Sequence, residues 1–170
     1  MDIANRFHTP VTHALERVDY LLISLGLAGY TLAKASEVNW VAFWLLFWVI
    51  DVVGTFPALV AYYRRHRARP ERPTLLPRGY HVAYNTAHSL ATGAVVCALL
   101  AALHGGPEMY MTAVPLHLAL DRSIFGNAYK PFGVSFQPDS NARFRVFEEG
   151  FRREVAAPPA EERIDERVTR

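Results

Sequence analysis

The chain has 170 residues, about half of them apolar, and a formal net charge of +2. Such averages suit a soluble protein, but the apolar residues are pooled in four stretches, three of which carry ionisable or amide side chains in their interior. A single cysteine, Cys97, excludes an intrachain disulfide and a thiolate-rich metal centre and is expected to be an ordinary packing group.

From Met1 to Arg17 the chain is polar, with acidic residues and no apolar core followed by small residues, so no cleavable signal peptide is expected. The first apolar stretch, Val18 to Ala33, then serves as its own insertion signal, with Asp19 at its mouth. The second, Trp40 to Tyr63, holds one charge, Asp51, in about twenty-four residues, which is enough to span a bilayer. The third, His81 to Leu103, has no formally charged residue and is equally long; the fourth, Met109 to Phe125, is shorter and ends near Asp121. Two spans alone would leave the other apolar surface uncovered, so an all-α, four-helix transmembrane bundle over residues 1–136 is predicted.

Beyond Ile124, aromatics, glycines and Lys130 suit the headgroup region. Phe144, Phe147 and Phe151 recur at helical spacing between charges, predicting a short amphipathic helix within 137–155 that lies on the inner leaflet or against the bundle. Residues 156–170 have prolines and mixed charge without periodicity, and a disordered tail is expected.

The link from Arg64 to Arg78 is short and strongly basic, whereas Lys34–Asn39 holds one Lys and one Glu and His104–Glu108 has no Lys or Arg. The positive-inside rule puts the basic link and both termini in the cytoplasm, as in a multi-pass protein of the cytoplasmic membrane. Topology accounts for this loop, so nucleic-acid binding is not expected.

Polar groups at membrane depth are costly unless paired, hydrated or bound to something. On continuous helices His81, Asn85 and His88 share a face that Thr92 extends, and His117 and Asp121 share another with Tyr110. At about 1.5 Å per residue His88 and His117 lie roughly 12 to 14 Å from the cytoplasmic end, Asp51 about 18 Å, and Asn85 and Asp121 near 7 Å. Imidazoles and carboxylates on facing helices form a ligand set for zinc, iron or manganese. In that arrangement His88, His117, Asp51 and Asp121 are metal ligands and carry any catalysis, and Asn85 is a weak ligand or a donor behind them. An open metal position activates water, and access from the inner leaflet suggests a lipid-like substrate for a hydrolase.

Competing readings stand beside this one. Each histidine alone suits a structural hydrogen bond between helices, and Asp121 suits a pair with Arg122 or a snorkelling position. Asp51 is the hardest to explain so. His81 and His104 are expected at the interface, His8, His13 and His66 in solvent, and Pro115 frees a carbonyl near His117. The alternatives are a bis-histidine haem protein using His88 and His117, opposed by the nearby carboxylates, and a non-catalytic subunit or scaffold with a polar network. In the latter, membrane helices or the Phe144, Phe147 and Phe151 face hold a protein partner or a second copy. Transport fits poorly with four short spans lacking repeats.

The elements Phe47–Asp51, Ala83-Tyr84-Asn85-Thr86-Ala87-His88 and His117–Arg122, followed by Gly126, Tyr129-Lys130 and aromatics to Phe136, resemble a family of small bacterial integral membrane proteins of unknown function. That family has an apolar-Pro-Asp element, then Tyr-Asn-x-x-His, then His-x-x-x-Asp-Arg. Order and spacing agree over roughly residues 40 to 136; Ile50 stands where a proline is usual, and the basic loop is longer here. The resemblance implies the same polar residues and no particular reaction. A fainter likeness, in residue types alone, is to membrane-bound metal-dependent hydrolases.

Overall fold

In the computed structural model, which describes residues 10–68, 74–127, 129–133, 135–137 and 142–156, the chain is all-helical. Its first helices are α1 (Pro10–Ala33), α2 (Trp40–Gly54), α3 (Phe56–Ala68), α4 (Arg78–Ala87) and α5 (Leu90–His104). A 3-10 turn (Met109–Thr112), α6 (Ala113–Leu120) and a π turn (Asp121–Phe125) form one further run, and α7 is Ala142–Ala156. The chain divides into two compact units, Met1–Phe136 and Gln137–Arg170. His8, part of the basic link, the side chain of Phe144 and the tail beyond Ala156 lie outside the described residues.

Local chemistry sets the breaks. Asn39 caps α2 by accepting from the Ala42 amide at 3.1 Å. Thr55 interrupts the run between α2 and α3, where Pro57 in the first turn of α3 has no N–H to offer. The continuous third span expected from sequence is broken: α4 and α5 meet at 56°, with His88 ending α4 and Ser89 capping α5. Ser89 is extended and its hydroxyl faces the Thr92 amide, which gives the chain a fresh helix start inside an apolar run.

The fourth stretch is also irregular. Pro115 cannot pair with the Met111 carbonyl, towards which the Cys97 thiol donates at 3.8 Å. At the other end the π turn closes on Gly126, whose φ of 65° suits glycine, and the Asn127 amide donates back to the Asp121 carbonyl.

Packing places α6 in the middle. It lies against α1, α2 and α5, and Ala113, Val114, Leu116, His117, Leu118 and Ala119 are all buried. Ile50, Val114 and Leu118 form one apolar cluster beside the polar site, and Ala58, Tyr62, Leu76, Tyr84 and Phe136 form another. The interface of α1 with the α6 run joins apolar packing of Leu27 and Ala28 beside Ala113 and Leu116 to hydroxyl contacts between small side chains: Ser24 faces Ser123 at 3.4 Å, and the Thr31 hydroxyl donates to Thr112 at 2.9 Å. Ser24 and Thr31 are buried, while Leu22, Leu25 and Leu32 on the same helix are exposed.

The outward surface is correspondingly apolar. Among the described residues α2 and α3, taken together as the run Trp40–Ala68, are long and apolar enough to cross a membrane, and only 22% of the most apolar stretch is buried. Trp44, Leu45, Trp48, Val49, Val52 and Val53 all face outward on it. The bent pair α4–α5 qualifies as well if it counts as one span. Helix α1 carries Glu16, Arg17 and Asp19, and the run from Met109 to Phe125 is short. In the second unit, Phe147 and Phe151 of α7 stack at 6.4 Å and Arg153 meets Glu149 at 3.6 Å.

Candidate metal centre

Four side chains predicted from sequence converge. Asp51 comes from the last turn of α2, His88 from the end of α4, His117 from α6 and Asp121 from the start of the π turn. His88 Nε2 is 3.5 Å from Asp51 Oδ1 and 3.3 Å from Asp121 Oδ2. His117 Nε2 is 3.9 Å from Asp51 Oδ2 and 3.5 Å from Asp121 Oδ2. Both histidines and Asp121 are buried.

These separations suit two kinds of contact, an ion-pair network and a ligand shell. Charge-assisted N–H···O bonds close to about 2.7–2.9 Å, so all four contacts are longer than the strongest such bonds, at ion-pair distance. Around a tetrahedral zinc with bonds of about 2.0–2.1 Å, neighbouring ligand atoms stand roughly 3.3–3.4 Å apart. Asp51, His88 and His117 lie close enough to hold a metal ion, and Asp121 is a fourth donor within reach of both imidazoles.

Protonation geometry agrees. A carbonyl only accepts, so His88 Nδ1, 2.9 Å from the Tyr84 carbonyl, carries the proton and donates it. In the neutral ring that leaves the Nε2 lone pair aimed at the carboxylates, the arrangement in which a metal-bound histidine is held by its other nitrogen. His88 also stacks on the Tyr84 ring at 4.0 Å, and Thr55 Oγ1 lies 3.5 Å from Nε2. His117 packs its ring against Phe47 at 4.7 Å. Both nitrogens of His117, and Asp121 Oδ2, are buried without a hydrogen-bond partner, which is costly in an apolar surrounding unless a ligand engages them.

Asn85 is engaged elsewhere. Its Nδ2 donates to the Lys130 carbonyl at 2.9 Å, and its Oδ1 accepts from the Lys130 amide at 2.7 Å. Both ends of the amide hold the segment after the π turn, the role of a strut behind the four converging side chains. Asn85→Ala is therefore expected to lower stability by about 1–3 kcal/mol, two hydrogen bonds' worth, while metal content stays that of the wild type. Thermal unfolding beside elemental analysis checks this, and loss of metal would return Asn85 to the ligand set.

The other expectations from the helical stripe separate too. His81 is buried beside Phe132 and Phe136 with neither ring nitrogen paired. His66, expected in solvent, bonds Thr74 Oγ1 at 3.2 Å and stacks on Tyr62. His104 is exposed and meets Tyr110, which is not at the site. Arg122 does not pair with Asp121: Nη1 donates to the Leu118 carbonyl and Nη2 to the His88 carbonyl, each at 3.0 Å. The second of these is a carbonyl exposed by the helix break.

Around the site, Arg17 donates from Nε to the Ser123 carbonyl at 2.7 Å and from Nη2 to the Ile124 carbonyl at 3.0 Å, fixing the π turn that begins at Asp121. Lys130 is half-buried with its ammonium over the rings of Tyr84 and Phe136. Burial pushes its pKa down, and the charge of Asp121 pulls partly the other way.

The fold and site thus define an all-helical protein with a buried His/Asp cluster spaced to hold a metal ion. No protein family matches the chain, and no curated protein or solved structure matches it either.

Proposed function

We propose that the protein spans the cytoplasmic membrane as a four-helix bundle and holds a divalent ion, zinc, iron or manganese, between Asp51, His88, His117 and Asp121, where it hydrolyses a lipid-like substrate. The observation that carries the reading is the convergence of two imidazoles on two carboxylates, with four nitrogen–oxygen separations of 3.3 to 3.9 Å and Asp51, His88 and His117 close enough to hold one ion. Two imidazoles and two carboxylates suit those metals. A bound ion would offset two buried carboxylates and, with an open position, would supply a water activated for attack at neutral pH.

Several features support the membrane part. The most apolar helix is mostly exposed, polar serine and threonine pairs join α1 to the α6 run, and leucines and valines face outward. Within the short run from Met109 to Phe125, α6 is enclosed by neighbouring helices, while Ile124 and Phe125 at its end face outward. Both termini and the basic residues Arg64, Arg65 and Arg67 are then cytoplasmic.

Detergent-purified protein is expected to carry about one equivalent of divalent metal per chain, as a four-donor site does, and no haem absorption band. Elemental analysis beside an ultraviolet-visible spectrum reads both. Metal-free protein that stays metal-free after incubation with each of the three ions would leave only a structural polar network. A haem band would replace the reading with bis-histidine ligation.

A further inference from the structure

Two cations flank the centre with no carboxylate at ion-pair distance among the described residues. The Lys130 ammonium lies 5.3 Å from the centre of the Tyr84 ring, which in turn stacks on His88. The Arg122 guanidinium lies between Tyr20 and Tyr129, 5.4 and 5.6 Å from their ring centres, with one nitrogen on the His88 carbonyl. Arg122 thus touches the main chain of His88 directly, and the Tyr84 ring links Lys130 to the His88 imidazole. Each is also held in place, Lys130 by the two Asn85 bonds to its main chain and Arg122 by two carbonyls.

Charge accounting gives these positions a meaning. Without a metal, Asp51 and Asp121 balance Lys130 and Arg122, and Arg17 on the π turn is a further cation nearby. A divalent ion leaves the same group of residues with two surplus positive charges in apolar surroundings, which is unfavourable until an anion joins them. A phosphate monoester carries about −1.5 to −2 at neutral pH and offers three acceptor oxygens, and clamps of Arg, Lys and a divalent ion are a recurrent means of stabilising a phosphoryl group.

We propose that the substrate of this centre is a phosphate monoester, its phosphoryl oxygens received by Lys130 and Arg122 on one side and by the metal on the other. The inference rests on the metal reading above and names the chemistry of its substrate. In the hydrolysis, the oxygen of water bonds to phosphorus while the P–O bond to the ester oxygen breaks. The ester oxygen leaves as an alcohol carrying a proton from water, inorganic phosphate is the second product, and nothing is oxidised or reduced.

The test uses the full chain in detergent, stripped by a chelator and titrated with Co2+, whose visible bands report binding by the same nitrogen and oxygen donors. Phosphatidic acid in the micelles is expected to raise Co2+ affinity at least about tenfold, because metal and anion favour each other reciprocally. Phosphatidylglycerol, an anionic diester, is expected to give no such gain. Lys130→Met should bind Co2+ alone as tightly as the wild type or more tightly, having lost a neighbouring positive charge, and should lose the gain from phosphatidic acid; Lys130→Arg should restore it. An equal gain from inorganic phosphate would assign a soluble ester, and a gain from phosphatidic acid alone a lipid headgroup. Unchanged Co2+ affinity with either phosphate compound, an equal gain from phosphatidylglycerol, or a full gain in Lys130→Met would overturn the substrate assignment and leave the metal centre standing. Failure of the wild type to bind Co2+ would overturn the centre itself.

Discussion

Alanine in place of either His88 or His117 is expected to strip the protein of its metal, lowering affinity by at least about 100-fold. The magnitude follows from ligand chemistry: loss of a residue that merely orients a ligand costs about 10 to 100-fold, so loss of a nitrogen ligand itself exceeds the top of that range. His88 is the sharper case, because its Nδ1–H is tied to the Tyr84 carbonyl and only Nε2 faces the carboxylates. Alanine at Asp51 or Asp121 should also lower metal content, by removing one oxygen donor while leaving both imidazoles. Elemental analysis of the four purified variants measures the effect, and wild-type stoichiometry in all of them would end the metal hypothesis. A structural network predicts a different outcome: the variants would lose stability, and the wild type would have no metal to lose.

The four converging residues were legible because their cost is. An aspartate in the middle of Trp40–Tyr63, and histidines inside two other apolar runs, need a shared explanation whatever the helix geometry. Their exact neighbours were not legible, because depth counted at a constant rise per residue holds only for straight, continuous helices. That geometry places Asp121 level with Asn85, whereas Asp121 Oδ2 reaches His88 and Asn85 turns to Lys130. The cause is local: α4 stops at His88, Ser89 starts a new helix at a steep bend, and a π turn changes the winding from Asp121 onward. Ser89 followed by Thr92 and Gly93 is the signal that a break was coming, since a serine with a free helix start behind it is a cap. The role of Arg122 had no such signal. Its acceptors are main-chain carbonyls, one of them exposed by that break, and a sequence does not announce an orphaned carbonyl.

Gly54 supplies a test that touches no ligand. It is buried on α2, and a Cβ added there would stand 3.0 Å from the Ala87 Cβ and from both Cε1 and Nδ1 of His88. Gly54→Ala must therefore push against the imidazole atom that bonds the Tyr84 carbonyl. A shift of a few tenths of an ångström is enough to matter, because metal sites hold their bond lengths to about 0.2 Å. Metal affinity is expected to fall about 10 to 100-fold, the range for disturbing the support of a ligand. Stability is the weaker readout: overpacking costs about 1–3 kcal/mol, but alanine in a helix recovers up to about 1 kcal/mol over glycine. Gly93→Ala is the matched control, since its Cβ would meet Val114 Cγ1 at 2.8 Å and Leu118 Cδ1 at 3.1 Å, both apolar. It carries the same helix gain and an overpacking cost of the same kind, so it should lower the melting temperature while keeping its metal. Equal metal affinity in the two variants would mean that His88 is not held against Gly54, and the geometry of the centre would have to be redrawn.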